Sequence, residues 1–192
     1  MARTGPAPRR SRTTTIPGGV RVVIPARKRP LASLFMAVWL CGWTVGGVAV
    51  IRQLVGQLLG TSEPVPLPVV AFMVVWLALW AVAEALVAAA LAWSLAGREV
   101  ISLSGATLRI RREAFRIGRT AEYGAASVRN LRAAPVTYRR GDGRSPMQAF
   151  GIGGGPIAFD HGAATRRFGA GLDEAEAEEV ARALRERLPS SS

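Results

Sequence analysis

"LASLFMAVWLCGWTVGGVAVI", Leu31–Ile51, carries no charged side chain of either sign. As an α-helix rising 1.5 Å per residue it would reach about 31 Å, the thickness of a bilayer's hydrocarbon core. A second run, "PVVAFMVVWLALWAVAEALVAAALAWSLA", Pro68–Ala96, holds only Glu84. Its helical length of roughly 43 Å exceeds that core, so it tilts or continues into the interface at its C-terminal end. A buried helix of a soluble protein would pass for either run, but uncharged length beyond about 18 residues argues against it. A cleaved signal is the other reading of the first run. That run starts well inside the chain, no small-x-small cleavage pattern follows it, and the pair Arg9 and Arg10 lies too far upstream for a twin-arginine signal. The sequence therefore predicts a transmembrane helical hairpin over 31–96, with spans 31–51 and 68–96.

Working outward, the charges segregate. The chain is 49% hydrophobic yet has a formal net charge of +12, a combination that a single soluble globule rarely shows. Residues 1–30 hold eight basic and no acidic side chains, and 97–192 hold sixteen basic against eleven acidic. Arg21, Arg27, Lys28 and Arg29 lead into the first span, and Arg98, Arg109, Arg111 and Arg112 follow the second. The loop between them, "RQLVGQLLGTSEPVPLP", has Arg52 as its only basic residue. Positive flanks stay in the cytoplasm, which places both termini there, in a multi-pass membrane protein. The prolines and glycines of the loop predict irregular structure on the far side.

Within the spans, Trp39 and Trp43, like Trp76 and Trp80, stand one helical turn apart and share a face. Gly42 and Gly46 have the spacing that lets two helices approach closely, either within the hairpin or in a homo-oligomer. Glu84 is an ionisable group in an apolar run and needs a partner or a water-filled cavity. It supports two readings, a packing role and an ion- or proton-handling role in an oligomer. Cys41 is the sole cysteine, so no disulfide forms within one chain.

After the hairpin the period changes. In "GREVISLSGATLRIRR" Leu108 and Ile110 alternate with Arg109 and Arg111, the pattern of a strand with one buried and one wet face. Further short runs, "GRTAEY", "SVRNLRAAPVTY", "MQAFGI", "PIAFD" and "TRRFGAG", are separated by Gly, Asp, Pro or Ser, and predict an antiparallel sheet of about seven strands, with room for a bulge in 127–134. "GLDEAEAEEVARALRERL" then places Ala177, Val180, Ala181, Leu184 and Leu188 on one helical face. Asp173 caps it with Glu176 three positions on, and the charges run from acidic to basic as the helix dipole prefers. The fold class is α+β: a transmembrane hairpin, then a cytoplasmic β domain over 97–188 closed by an amphipathic helix over 173–188. Residues 1–30 read as a mostly disordered basic segment, with a short strand possible at 20–24.

The order of these parts resembles bacterial membrane proteins in which a helical hairpin carries a pleckstrin-homology-like domain. The resemblance covers most of residues 20–188 and is carried by "VIPARKRP" before a span containing "WLCGW", by "GREVISLSGATLRIRR", and by "GGGPIAFDHGAATRRFGAGLDEAEAEEVARAL". It implies a seven-stranded sheet or barrel with a C-terminal helix, no catalysis, use as a binding or assembly module, and a place in the bacterial inner membrane. It implies no functional residues.

The glycine-rich stretch "GIGGGPIAFDHG", residues 151–162, fits a hairpin between "MQAFGI" and "PIAFD" better than a nucleotide loop. Pro156 stands where a last glycine should be, a strand rather than a helix follows, and no Lys-Ser or Lys-Thr closes the run. His161 is the only histidine and reads as an exposed turn residue, and neither it nor the lone cysteine has companions for a metal. No nucleophile-elbow pattern occurs. The sequence thus predicts no enzyme, no metal and no cofactor. It predicts no nucleic-acid partner either, since every tryptophan lies in the spans. The remaining candidate is a patch of Arg109, Arg111, Arg112, Arg116 and Arg119, suited to anionic membrane lipid or to an unidentified acidic protein partner.

Overall fold

The computed structural model describes residues 10–134 and 154–189. Two compact units result, the apolar one spanning residues 29–92 and the other built from the chain on both sides of it.

In the apolar unit, α1 spans Pro30–Leu58 and the following helix, α2, begins at Leu67 and continues to Ala96. Both are long and apolar enough to cross a membrane, and little of either is covered by protein. α1 continues past the expected end at residue 51 and takes in Arg52–Leu58, a stretch expected to be irregular. Nothing breaks it there: Gln53 and Gln57 are good helix formers, and the helix ends only at the turn of Leu59 and Gly60, the latter with φ 66°. Gln57 then straps the connection, its side chain donating to Glu63 O and accepting from Val65 N.

The two helices meet through aromatic rings. Phe35, Trp39 and Trp43 meet in tilted ring contacts along α1, Trp43 stacks on Trp80 at 5.8 Å, and Trp80 on Trp76 at 5.8 Å. Gly47 makes room for this ladder, since a Cβ there would lie 2.2 Å from the Trp80 ring. Tryptophan at this spacing is thus a helix-to-helix contact.

The other unit holds two antiparallel sheets. The five-stranded sheet runs in sequential order through β1 (Arg12–Ile16), β2 (Gly19–Pro25), β3 (Arg98–Ser104), β4 (Thr107–Ala114) and β5 (Ile117–Gly124). The three-stranded sheet runs β6 (Arg129–Ala133), β7 (Ile157–His161), β8 (Ala164–Phe168). The N-terminal segment is therefore a hairpin over 12–25, more ordered than its composition predicts. Its turn at Pro17 and Gly18, φ 71°, is the kind that Pro-Gly favours, and Val20, Val22 and Ile24 supply a buried face. Among the described residues the sheets do not join into a closed barrel. The expected strand "MQAFGI" lies outside the described residues.

Register fixes which residues are inside. Val22, Ile101 and Ile110 align across β2, β3 and β4, as do Val20, Leu103 and Leu108. All of them join one core with Leu131, Ile157, Phe159 and Phe168 of the smaller sheet. Tyr123 on β5 meets Phe159 edge-on at 5.1 Å. In β6 the register shifts between Arg129 and Arg132 and Asn130 has φ 50°, the irregularity expected in that stretch. The last helix, α3 (Glu174–Arg185), lays Ala177, Val180, Ala181 and Leu184 on the core. Asp173 caps it by accepting from Glu176 N at 2.8 Å. The Glu176 carboxylate reaches further than a capping box requires, accepting from Arg10 N at 2.5 Å and Ser11 N at 3.3 Å. It ties the start of β1 to the helix.

Gly155, φ 133°, sits where a Cβ would strike Phe168 O at 2.2 Å, so this glycine of the "GIGGGP" stretch serves a close backbone approach. The remainder of that predicted hairpin, residues 151–153, lies outside the described residues. His161 differs from the expected exposed turn position. It ends β7, half-buried, with its ring edge-on to Tyr123 at 5.1 Å.

Candidate functional site

The five candidate arginines do not form one patch. In a strand, neighbours point to opposite faces, and β4 shows it: Leu108 and Ile110 are buried while Arg109 and Arg111 are exposed. Arg112 therefore shares a face with Ile110, away from Arg109 and Arg111. It lies opposite Glu99 on β3, which is 2% exposed, and its Nε donates to Glu99 Oε1 at 2.6 Å. Its Nη2 donates to Arg167 O at 3.0 Å, and Gly169 N donates to Glu99 Oε2 at 2.6 Å. Arg112 is a fastening between the two sheets.

On the other face the cations are mostly answered. Arg109 pairs with Glu122 directly across from it, at 2.8 Å with both side chains about half exposed. Arg111 and Arg98 both close on Glu113, with Nε to carboxylate distances of 2.5 and 2.6 Å. Burial pushes the Glu113 carboxyl up, but hydrogen bonds and charge from Arg111 and Arg98 pull it down further, so it titrates below the ordinary carboxylate range. Arg12, Arg21 and Arg98 share this face by register, beyond the five arginines expected.

Arg116 and Arg119 are different. Arg116 sits in the two-residue turn between β4 and β5, with φ 70°, and its carbonyl accepts from Arg111 Nη2 at 3.2 Å. Arg119 lies across from Arg112, on the face away from Arg111. Both guanidinium groups are exposed and make no ion pair or hydrogen bond to any described residue. Phe115, φ 49°, and Ile117 stand beside them, 61% and 82% exposed. The sequence signal for these two was two large apolar residues inside "REAFRIGR", where a polar turn would be ordinary.

In the smaller sheet, Asp160 gathers Thr165, Asn130 and Arg132, at 2.7, 3.0 and 3.0 Å. Hydrogen bonds from Thr165, Asn130 and Arg132, in that order, outweigh partial burial and hold its carboxyl low. This is a structural brace, with no base beside it: His161 turns to Tyr123.

Between the helices, Thr44 Oγ1 donates to Glu84 Oε1 at 2.5 Å and lies 2.9 Å from Leu40 O. Glu84 thus has a partner within its own chain. Gly42 and Gly46 pack on no described residue, for a Cβ at either would meet none of their atoms within 4 Å. The close approach of α1 to α2 is at Gly47, which the spacing rule had passed over. Among the described residues, no three His, Cys, Asp or Glu side chains gather where they could hold a metal ion.

Comparison of the chain with protein-family models, characterised proteins and solved structures finds no match.

Proposed function

We propose that the chain is a membrane-anchored binding or assembly module, without catalysis of its own, whose sheet domain faces the cytoplasm. The observation that carries this reading is the pairing of β2 with β3. These strands run side by side from Gly19↔Ser104 to Pro25↔Arg98, although the whole helical hairpin lies between them in sequence. A chain that leaves a sheet at Pro25 and rejoins it at Arg98 must begin and end its excursion on one side of a bilayer. An even number of crossings satisfies that condition, and two apolar helices supply it. The arginine-rich flanks favour the cytoplasmic side. Two antiparallel sheets with a closing helix also fit the pleckstrin-homology-like architecture, without a closed barrel among the described residues.

The hairpin then serves as the anchor, and the cytoplasmic unit presents the surface that partners meet. Cysteine accessibility tests this in a Cys41→Ser chain. Single cysteines at Thr13 and at Arg182 should both react with a membrane-impermeant maleimide only after the cytoplasmic side is opened, while one at Ser62 should react from outside. Opposite sidedness of Thr13 and Arg182 would end the proposal.

The second reading, an oligomeric ion or proton handler built on Glu84, is favoured by the exposed Gly42 and Gly46 and weakened by the Thr44 hydrogen bond. A pH-dependent flux in liposomes that Glu84→Gln abolishes would support it.

A further inference from the structure

The β4–β5 connection brings together an unfavourable backbone, exposed apolar side chains and cations that no described residue pairs. Ala114 pairs with Ile117 across it, leaving Phe115 and Arg116 as the whole turn. Both have positive φ, 49° and 70°, the pattern of a type I′ turn, which Asn-Gly adopts readily and phenylalanine does not. Among the described strands and their turns, Phe115 and Ile117 are the large apolar side chains left most exposed. Folding alone would select neither an aromatic residue in a left-handed conformation nor its immersion in water, and such retained strain points to use.

The place of this tip in the sheet says what it meets. Pro25, Arg98, Glu113 and Gly118 align across β2 to β5 at one end of the sheet. One further pair, Ala114↔Ile117, separates that row from the β4–β5 turn. At the same end the chain leaves β2 for α1 through residues 26–29 and returns from α2 through Gly97. Residues 27–29 are Arg, Lys and Arg, all exposed. Negative charge at this end is already taken up, since Glu113 is held by Arg98 and Arg111.

We propose that the β4–β5 tip dips into the head-group layer of an anionic bilayer, with Phe115 and Ile117 at the acyl boundary and Arg116 and Arg119 on lipid phosphates. This rests on the membrane-anchored reading above. Aromatic side chains settle at that depth, and basic groups near an anionic surface are drawn to it. Two apolar side chains are too small a patch for a stable protein interface, which buries on the order of 1,000 Å² or more. They suffice when covalent attachment to the spans keeps the local lipid concentration high.

The test uses the full chain with Cys41→Ser, reconstituted in phosphatidylcholine vesicles with or without phosphatidylglycerol. A polarity-sensitive fluorophore is attached at Ala114→Cys, beside the tip, at Ser104→Cys, at the far end of the sheet, or at Val45→Cys, on α1. Quenching by lipids carrying a spin label near the head group is expected at 114 and not at 104, and only when phosphatidylglycerol is present. The pair Phe115→Asn and Arg116→Gly suits the turn better than the native residues, so it keeps the fold, and it should abolish quenching at 114. Arg119→Ser should reduce it. Equal quenching at 114 and 104, or quenching that survives the Asn-Gly pair, overturns the proposal. So does quenching that is indifferent to phosphatidylglycerol, or a label at 114 shielded from iodide yet unreached by the lipid quencher, which would indicate a protein contact. Loss of deep-lipid quenching at 45 would instead remove the membrane anchor itself, and the two failures are thereby told apart.

Discussion

Glu99 and Arg112 stand opposite each other on β3 and β4, 2.6 Å apart, and each also reaches the smaller sheet, Glu99 at Gly169 N and Arg112 at Arg167 O. The pair closes the gap where the two sheets would otherwise part. Glu99 is buried and the Arg112 side chain is 31% exposed. Removing one partner leaves the other charge poorly solvated, a loss of roughly 3 kcal/mol. Arg112→Met should therefore destabilise the sheet unit by about that amount, because it strands the buried Glu99 carboxylate, and Glu99→Leu by less, because the partly exposed Arg112 can turn to solvent. Thermal unfolding of the full chain in detergent, followed by loss of strand signal, checks both. Equal and negligible effects would mean that the fastening contributes little.

Much of the architecture could be read from period alone. The alternation of Leu108 and Ile110 with Arg109 and Arg111 gave β4 its faces, and the turn to helical spacing after Asp173 gave α3 and its cap. Period also carried a mistake. Alternation along β4 puts Arg112 on the same side as Ile110, and an arginine there needs an acid such as Glu99, which lies far enough away in sequence that only pairing of β3 with β4 reveals it. The N-terminal hairpin was hidden for a related reason. "RTTTIPGGVRVVIP" has strand propensity, but the buried face of Val20, Val22 and Ile24 finds its neighbours on β3, beyond the helical hairpin. Gly42 and Gly46 matched a spacing rule while Gly47 made the contact, because the position of Trp80 on α2 decides which glycine faces it. Phe115 and Ile117 are visible in the sequence, but their exposure follows from the turn.

Acid should weaken the sheet unit in a definite way. Glu113 and Asp160 both titrate below the ordinary carboxylate range in the folded chain. Unfolded, they return to ordinary values and bind protons first as pH falls. Their contribution is complete above the ordinary range and is lost as pH drops through the lowered values. Unfolding midpoints measured from neutral pH downward should decline over that window, and Glu113→Gln should lower the neutral-pH midpoint while flattening the acid decline. A decline as steep in Glu113→Gln as in the native chain would assign the acid sensitivity to other groups.

Glu176 joins the start of β1 to α3 through its hydrogen bonds from Arg10 N and Ser11 N. Glu176→Ala removes those acceptors but leaves the Asp173 cap, which bonds the main-chain N–H of residue 176. The expected result is faster hydrogen exchange in β1, with α3 protected as before. Concerted loss of protection in β1 and α3 would show that the side chain supports the helix as well.

Thr44 gives Glu84 a donor within the hairpin, and an unpaired carboxyl among apolar helices is costly. Thr44→Val should lower hairpin stability by about 1 kcal/mol, the usual size of a hydrogen bond between membrane helices. In a double-mutant cycle with Glu84→Leu, which removes the acceptor, read by denaturation in mixed micelles, the two changes should be less than additive. Full additivity would place the partner of Glu84 elsewhere.

The glycines of α1 separate packing within the chain from packing between chains. At Gly47 a methyl group would come 2.2 Å from a Trp80 ring that is itself stacked between Trp43 and Trp76, so the ring cannot swing clear without breaking the ladder. Gly47→Ala should cost roughly 1–3 kcal/mol, the range for overpacking, and should red-shift the tryptophan emission. Gly42→Ala and Gly46→Ala add a methyl group to open space and remove a poor helix former, so a lone hairpin should tolerate or gain from them. If either one weakens the protein in a bilayer, its face is covered by a second copy of α1, and crosslinking yields that fall in parallel would identify the dimer. Unchanged stability with Gly42→Ala and Gly46→Ala, set against a clear loss with Gly47→Ala, would place the helix contact inside a single chain.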